Sequence, residues 1–427
     1  MTLPVTLRAL RYRNFQLFFG GQLISLTGTW MQNVAQAWLV YRLTGSSVLL
    51  GLVSFAGQIP VFLVSPLGGI VADRFRRQYV VIATQTASML LALILSALTL
   101  AGRVHIWHIM VLAVGLGIVN AFDIPARQSF FVEMVGREDL INAIALNSSM
   151  FNASRVIGPA VAGILVATIG EGWCFFANGV SYVAVIAGLL CMAMPAFAPP
   201  PRQTSPLVDI IEGFRFVLKS APIHHLLILL GILSITGMPF AVLMPIFADQ
   251  ILHGGARGLG ILMGASGVGA LSGALVLAAR ESVRGLGRWV AVSAAAFGAT
   301  LIAFALSRSF WPSCALMLPV GFAMMVEMGS SNTLIQTMSP DYLRGRVMSV
   351  YSMMFMGMAP FGGFFAGAIA HRIGAPYTVA IGGLACIAGA SVYGLYLPKI
   401  RGEARELILA QGMTAGVPAQ EITRQGA

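Results

Sequence analysis

The chain has 427 residues, of which 57% are hydrophobic and only 10% are charged, and its mean hydropathy is +0.84. This composition lies well outside that of soluble domains. The net charge of +11 would suit a nucleic-acid partner. Its distribution argues against one, because the arginines cluster in short segments between long apolar stretches.

Apolar stretches of helix length follow one another from Asn14 to Leu397. About 20 apolar residues cross the hydrocarbon core as a helix, and a spanning helix pairs its own backbone polar groups. We therefore predict an all-α membrane protein with 12 transmembrane helices. The predicted spans are 14–42, 47–71, 78–101, 106–122, 138–169, 173–194, 222–251, 257–279, 287–306, 310–332, 345–370 and 376–397.

Basic residues fall almost entirely on one side of these spans. Cytoplasmic loops carry the excess of lysine and arginine in membrane proteins, so both termini are predicted to be cytoplasmic. Of the 26 basic residues, Arg155 lies inside a span, and those on the opposite side are Arg42, Arg103, Arg257, Arg308 and Arg372.

Five polar residues share one face of the first span, because they are spaced three or four residues apart. Lipid would reject such a stripe, so it faces either a water-filled cavity or another helix through hydrogen bonds. We predict a substrate cavity, which Asn152 and Arg155 of the fifth span would also line. The stripe consists of Gln22, Ser25, Thr29, Gln32 and Gln36.

The loop after the second span combines one acid with three arginines in the sequence Gly69-Ile-Val-Ala-Asp73-Arg74-Phe-Arg-Arg77. It resembles the signature loop of the major facilitator superfamily, although an arginine replaces one family glycine. Gly69 would let two helices approach closely. The charges would latch one half of the protein to the other on the cytoplasmic side. The alternative is a topology signal alone, but topology needs no acid.

Asp123 lies near the cytoplasmic end of the predicted fourth span and Glu327 lies in the tenth, where an ionisable group is costly and usually paired. The resemblance implies that Asp123 joins a charge cluster with Arg77. Glu327 is predicted to meet one of three arginines in a corresponding loop, either as a static ion pair or as a moving gate. These arginines are Arg280, Arg284 and Arg288.

The fifth and eleventh spans carry proline close to glycine, which is compatible with a hinge or with close packing. The first of these elements is similar to one found in exporter branches of the superfamily. The stretches 30–45 and 122–143 resemble the enterobactin-exporter and macrolide-efflux-like branch. The residues concerned are Gly158, Pro159, Gly163, Pro360 and Gly362.

Two halves are predicted, because a shift of 204 residues aligns seven glycines and brings Asp123 onto Glu327. Such parallel repeats place the substrate path between the halves. The predicted division is an N-terminal half (1–194), a cytoplasmic linker with an amphipathic helix (195–221), a C-terminal half (222–398) and a cytoplasmic tail (399–427).

These features predict a secondary transporter that exports small organic molecules across the bacterial inner membrane by alternating access, with protons as a candidate coupling ion. No nucleotide-binding loop is present, so either a gradient would supply the energy or transport would run downhill. We predict a monomer with no cofactor, no metal site and no nucleic-acid partner. A metabolite importer and a lipid flippase remain alternatives on the same fold. An intramembrane enzyme is less favoured, because the sequence offers no arrangement of a nucleophile with a base. A sensor without transport is also possible, but it would not explain the polar stripe.

Overall fold

The computed structural model describes residues 5–136, 138–194, 206–280, 282–340 and 342–414. In these ranges every regular element is a helix. A short 3-10 helix, Val5–Arg11, comes first. The α-helices are α1 (Arg13–Thr44), α2 (Ser47–Arg74), α3 (Arg77–Leu100), α4 (Ile106–Val135), α5 (Leu140–Thr168), α6 (Glu171–Leu190), α7 (Pro206–Lys219), α8 (Ala221–Ile232), α9 (Phe240–Ile246), α10 (Gly255–Ala278), α11 (Leu286–Leu306), α12 (Phe310–Met338), α13 (Arg344–Ser352), α14 (Ala359–Ile373) and α15 (Ala375–Thr414).

Eleven helical stretches in these ranges are long and apolar enough to cross a bilayer. Two of them contain π-helical turns, so that α8 and α9 run together as Ala221–Ile251, and α13 and α14 as Arg344–Ile373. α1 has 32 residues but is not among the eleven, because its polar stripe lowers the hydropathy. The chain is therefore an all-helical multi-pass membrane protein.

Several helices extend beyond the predicted spans on the predicted cytoplasmic side. α4 continues from the expected end at 122 to Val135, and α15 from 397 to Thr414. The hydropathy pattern marks only the part of a helix that lies in hydrocarbon. The α4 continuation packs Phe130 and Phe131 into a buried core cluster of the protein, and hydropathy does not report this tertiary contact.

The first compact unit contains Met1–Arg202 together with Met244–Gly264. In it α1 packs against α5 and α6, α2 packs against α4, and α3 packs against α4 and α6. An aromatic cluster closes the start of α1, where Phe18 and Phe131 meet edge to face with ring centroids 5.5 Å apart. The segment Met244–Gly264, which the predicted division assigns to the C-terminal half, thus belongs to this unit.

The second compact unit contains Gln203–Leu243 and Ala265–Ala427. In it α11 packs against α12 and α15. The predicted amphipathic helix is present as α7 and lies against α13, where Glu212 forms an ion pair with Arg346. A Cβ at Gly213 would lie 2.8 Å from the Arg346 carbonyl oxygen, so glycine permits this approach. The Pro-rich part of the linker, 195–205, lies outside the described residues.

Candidate substrate and gating sites in the spanning helices

Two residues of the polar stripe of α1 contact α6. The amide of Asn178 donates to Gln32 Oε1 over 2.7 Å, and Thr29 Oγ1 lies 3.4 Å from the Tyr182 hydroxyl. Gly28 makes the approach possible, because a Cβ there would lie 2.5 Å from Asn178 Oδ1. For this part of the stripe, the polar side chains therefore form hydrogen bonds between helices, which was the alternative to a water-filled cavity. The role of the stripe in a substrate cavity stays a prediction.

Two side chains of the predicted cavity hold buried acceptors that have no donor among the described residues. They are Gln22 Oε1 and Asn152 Oδ1, although the Asn152 amide donates to the Ser148 carbonyl over 2.9 Å. A buried acceptor left unsatisfied costs about 1–3 kcal/mol. Such groups are commonly satisfied by water. Both oxygens are therefore candidates for a water or ligand contact.

Arg155 lies beside an aromatic pair. Its guanidinium carbon is 5.8 Å from the centre of the Trp30 ring, and Trp30 in turn meets Phe151 edge to face at 5.5 Å. Arg155 is half-buried, whereas Phe151 is exposed. A cation over an aromatic face is stabilised by the ring quadrupole. This arrangement offers a polar group and a flat apolar surface next to each other.

Two polar residues that the sequence prediction did not include are exposed in the middle of long helices of the first unit. Asn33 of α1 is exposed one position beyond the buried Gln32, and Gln58 of α2 is exposed, with its amide donating to Ser54 Oγ over 3.0 Å. The helical spacing rule assigned only residues on the stripe to the cavity and so passed over Asn33. Gln58 gave a signal of its own, as a lone amide in an apolar span.

Arg77, at the start of α3, has a different acidic partner from the predicted one. Its Nη1 lies 2.6 Å from Glu133 Oε1 and also donates to the Ser129 carbonyl over 3.3 Å. Asp73 is farther away at 3.9 Å and its side chain is 62% exposed. Glu133 was missed because it lies beyond the predicted end of the fourth span.

The predicted cluster of Asp123 with Arg77 is wrong. Asp123 Oδ1 accepts hydrogen bonds from Thr84 and Gln85 of α3 over 2.8 and 2.9 Å, and its Oδ2 lies 3.3 Å from Arg127 Nε. Asp123 precedes Glu133 by ten residues, or about 15 Å along α4. Arg77 cannot reach both, and the arginine one turn along α4 neutralises Asp123 instead.

Glu327 likewise does not meet any of the three predicted arginines. It is 1% exposed, and the hydroxyl of Ser331 donates to its Oε1 over 2.9 Å. Among the described residues no cation lies within ion-pair distance of it. Glu327 stands eleven residues before the end of α12, about 16 Å from that end. The loop arginines sit at helix ends and are too far away.

The three loop arginines have surroundings of their own. Arg280 lies with its guanidinium carbon 4.3 Å from the Trp289 ring centre and donates to the Arg284 carbonyl over 2.6 Å. Arg284 and Arg288 are exposed, as is Arg74 in the first signature loop. None of them lies near Glu327, so the second predicted charge cluster is not formed in the structure.

Gly69 does not mediate the predicted helix approach. A Cβ at Gly69 would meet nothing within 4 Å, whereas one at the preceding Gly68 would overlap the Ala121 carbonyl oxygen of α4. The close approach of α2 to α4 therefore belongs to Gly68. Motif spacing pointed to the neighbouring residue, which faces away from α4.

Residues 5–421 match the model of the transmembrane secretion effector family. The chain belongs to the major facilitator superfamily. It is 26% identical to the staphyloferrin A transporter of Staphylococcus aureus over 87% of this chain and 93% of that protein. It is 28% identical to the multidrug efflux pump Tap of Mycolicibacterium fortuitum over 86% and 91% of the two chains. With the enterobactin exporter EntS of Citrobacter koseri the identity is 25% over 95% of both.

Solved structures show the same fold. A POT family transporter in complex with 5-aminolevulinic acid superposes with a TM-score of 0.71 at 12% identity, over 91% of this chain and 97% of that one. The chain is thus a transporter of the major facilitator superfamily, whose members here are transporters rather than enzymes. The predicted resemblance to the enterobactin-exporter branch is confirmed.

The proline and glycine elements of this transporter are close-packed. A Cβ at Gly158 would lie 2.5 Å from the Cβ of Trp30, and one at Gly163 would lie 2.9 Å from Gly260 Cα. In the second unit a Cβ at Gly362 would lie 2.6 Å from the Ile235 carbonyl oxygen. Pro159 lies inside the continuous α5, and Pro360 is in the first turn of α14. Close packing is established at these glycines, and a hinge role remains a prediction.

The C-terminal end of α1 carries two further contacts that the sequence did not reveal. The Tyr41 hydroxyl donates to Asp249 over 2.7 Å, and Arg42 Nε donates to the buried Glu171 over 2.7 Å. Asp249 lies near the end of the predicted seventh span and Glu171 lies between the fifth and the sixth, which was the available signal. Their partners could not be read from spacing, because they lie 208 and 129 residues away in the chain.

Proposed function

We propose that this transporter exports small, largely apolar organic molecules across the bacterial inner membrane by alternating access. The named activities of its relatives, which include an enterobactin exporter and a multidrug efflux pump, motivate this proposal. The observation that carries it is the set of polar side chains exposed along membrane-spanning helices of the first unit. Lipid does not accept such groups, so they need water or a polar ligand.

The chemistry of this face suits a molecule with both apolar and polar parts. Asn33 and Gln58 are exposed and offer amide donors and acceptors. Phe151 and Trp30 offer flat apolar contact beside the charged Arg155. We assign substrate contact to these five residues together with Gln36, which is half-buried and makes no hydrogen bond among the described residues. We assign Gln22, Ser25 and Gln32 a structural role in the packing of α1 against α6. Gln22 Oε1 would accept a hydrogen bond from a bound water.

The proposed architecture has twelve spanning helices in two parallel repeats. They are the eleven apolar helical stretches and, in addition, α1. The arginine bias supports cytoplasmic termini, because it recurs at successive loops. The transporter would work as a monomer, since each chain holds a complete set of helices. Accessibility of single cysteines placed at residues 45 and 102, against residues 76 and 137, tests this orientation from the two sides of the membrane.

Glu327 is the residue that we assign to proton coupling. It is a buried carboxylate with a serine as partner and no cation within ion-pair distance among the described residues. One proton neutralises such a group, and unpaired charge in an apolar interior is costly. Its repeat mate Asp123 already has Arg127 and two hydrogen-bond donors. The two acids therefore divide their roles, with Asp123 structural and Glu327 titrating during transport.

Reconstituted vesicles with an imposed pH gradient test the function. Panels of siderophore-like and drug-like compounds would be screened for proton-driven movement, with Glu327→Gln and Asp123→Asn as matched variants. We expect Glu327→Gln to abolish the response to the pH gradient while downhill exchange of substrate continues. Equal responses of both variants and the parent would refute coupling at Glu327. Movement only in the direction of uptake would favour the importer alternative.

Cysteine scanning tests the substrate face separately. In a Cys191→Ser background, water-soluble thiol reagents should label cysteines at 33 and 58 and spare those at 25 and 32. Bound substrate should protect the labelled positions. Labelling at 25 and 32 instead would refute this assignment. It would support the cavity wall predicted from the sequence, which the polar stripe of α1 forms.

A further inference from the structure

The second unit contains a cavity of about 920 Å³ where the ends of four helices meet. Its floor is apolar and is formed by α8, α12 and α15, with Leu226, Leu334 and Met338 among the buried lining residues. The continuation of α15 adds Ile400 and Ile408, two turns apart on the same face. A cavity of this size holds a drug-sized ligand.

Four arginines line this apolar cavity, one from the loop before α11, one from the first turn of α11 and two from α15. They are Arg284, Arg288, Arg401 and Arg405. Among the described residues, no carboxylate lies within ion-pair distance of the last three. Glu403 also lies on α15 but is not among the lining residues, and its carboxylate accepts a hydrogen bond from the Ala221 amide.

The start of α11 adds to the positive potential. Gly285 precedes the helix with a φ of 80°, and Gly287 belongs to its first turn; both line the cavity. The N-terminal end of a helix carries a partial positive charge that favours anions. Cationic side chains and the helix end thus surround an apolar space, which is the complement of an anionic amphiphile.

The position along α15 points to the membrane interface. This helix has 40 residues, about twice the number that a bilayer needs, and the lining residues from Leu397 to Leu409 come from its second half. Basic pockets between spanning helices at this depth suit lipid headgroups. We propose that the cavity binds one anionic phospholipid, with its phosphate among the arginines and an acyl chain along the apolar floor.

Lipid binding at this cavity requires no particular direction of transport and no coupling ion. It gives Arg284 and Arg288 a use that differs from the predicted gate. Neutral lipid lacks the net charge that the arginines attract. Each basic residue at a membrane surface changes anionic-lipid affinity by about fivefold, so removing three should weaken binding on the order of 100-fold.

The test measures binding of short-chain phosphatidylglycerol and phosphatidylcholine to the full-length transporter in detergent. The test variant is Arg288→Gln/Arg401→Gln/Arg405→Gln, and the matched control is Arg8→Gln/Arg13→Gln/Arg215→Gln, which removes the same charge from exposed sites outside the cavity. Ala404→Trp fills the apolar part without changing charge. Thermal unfolding of each variant without lipid reports folding.

We expect phosphatidylglycerol to bind the parent and the control far more tightly than phosphatidylcholine does. The test variant should lose about 100-fold of that affinity, and Ala404→Trp should also weaken binding. Equal losses in the test and control variants would overturn the proposal, because they would reflect net charge alone. Inorganic phosphate that competes as well as the lipid, with Ala404→Trp unaffected, would identify an anion site and also overturn it.

Discussion

The ion pair between Arg77 and Glu133 offers a sharp test of how the signature loop works in this transporter. The resemblance implied that Arg77 joins Asp123, and the loop sequence places Asp73 one turn away. The structure selects Glu133, at 2.6 Å. A double-mutant cycle with Arg77→Gln and Glu133→Gln measures this coupling, and a second cycle with Asp73→Asn provides the matched comparison.

The expected magnitudes follow from exposure and distance. The side chains of Arg77 and Glu133 are 15% and 25% exposed, so their contact is partly shielded from water. A hydrogen bond to a charged group contributes about 1.5–3 kcal/mol to stability. The contact of Arg77 with Asp73 is 3.9 Å long, and the acid is 62% exposed. Exposed pairs of this kind contribute about 0.2–1 kcal/mol.

Equilibrium unfolding in mixed micelles with increasing SDS would give the four free energies of each cycle. We expect a coupling of about 1.5–3 kcal/mol for Arg77 with Glu133, which corresponds to about a 10- to 150-fold change in the unfolding equilibrium. Residual coupling with Asp73 should stay below about 1 kcal/mol. A larger coupling of Arg77 with Asp73 than with Glu133 would refute this assignment. The main ion pair of Arg77 would then lie within the signature loop.

Three further predictions use the same unfolding assay. Gly68→Ala should lower stability by about 1–3 kcal/mol, because its methyl group overlaps the α4 backbone, and Gly69→Ala should have little effect; equal losses would contradict that packing. Asn178→Ala should cost about 1–3 kcal/mol by leaving Gln32 Oε1 without its donor, and a cycle of the two residues that proves additive would show the bond is not made. Tyr41→Phe should lose about 1.5–3 kcal/mol with its aspartate partner; no measurable loss would mean that water replaces the hydroxyl.

Sequence patterns predicted the membrane-spanning class and most of the helices, because hydrophobic length is a local property of the chain. They also predicted the superfamily through Gly69, Asp73, Arg74 and Arg77. The polar stripe of α1 was found by helical spacing. Spacing alone could not tell a cavity wall from a helix contact, and the buried bond between Gln32 and Asn178 supports the contact for that residue.

The partners of charged residues were predicted less well. The sequence marked Asp123 and Glu327 as ionisable groups at the end of one span and inside another, but the arginines proposed for them were wrong. A loop motif gives the order of charges along the chain and not their depth in the membrane. Arg77 is paired by Glu133, which a hydropathy reading left outside the fourth span.

The sequence by itself determined that this is a multi-pass helical membrane protein, since about 20 apolar residues are sufficient for a helix to span a bilayer. Only the tertiary structure decided which polar groups face each other. Hydrogen bonds and ion pairs act over about 3 Å, while their partners here lie up to 208 residues apart. The tertiary structure likewise decided that Gly68 and not Gly69 meets α4, because a rotation of one residue turns a side chain by about 100° around a helix.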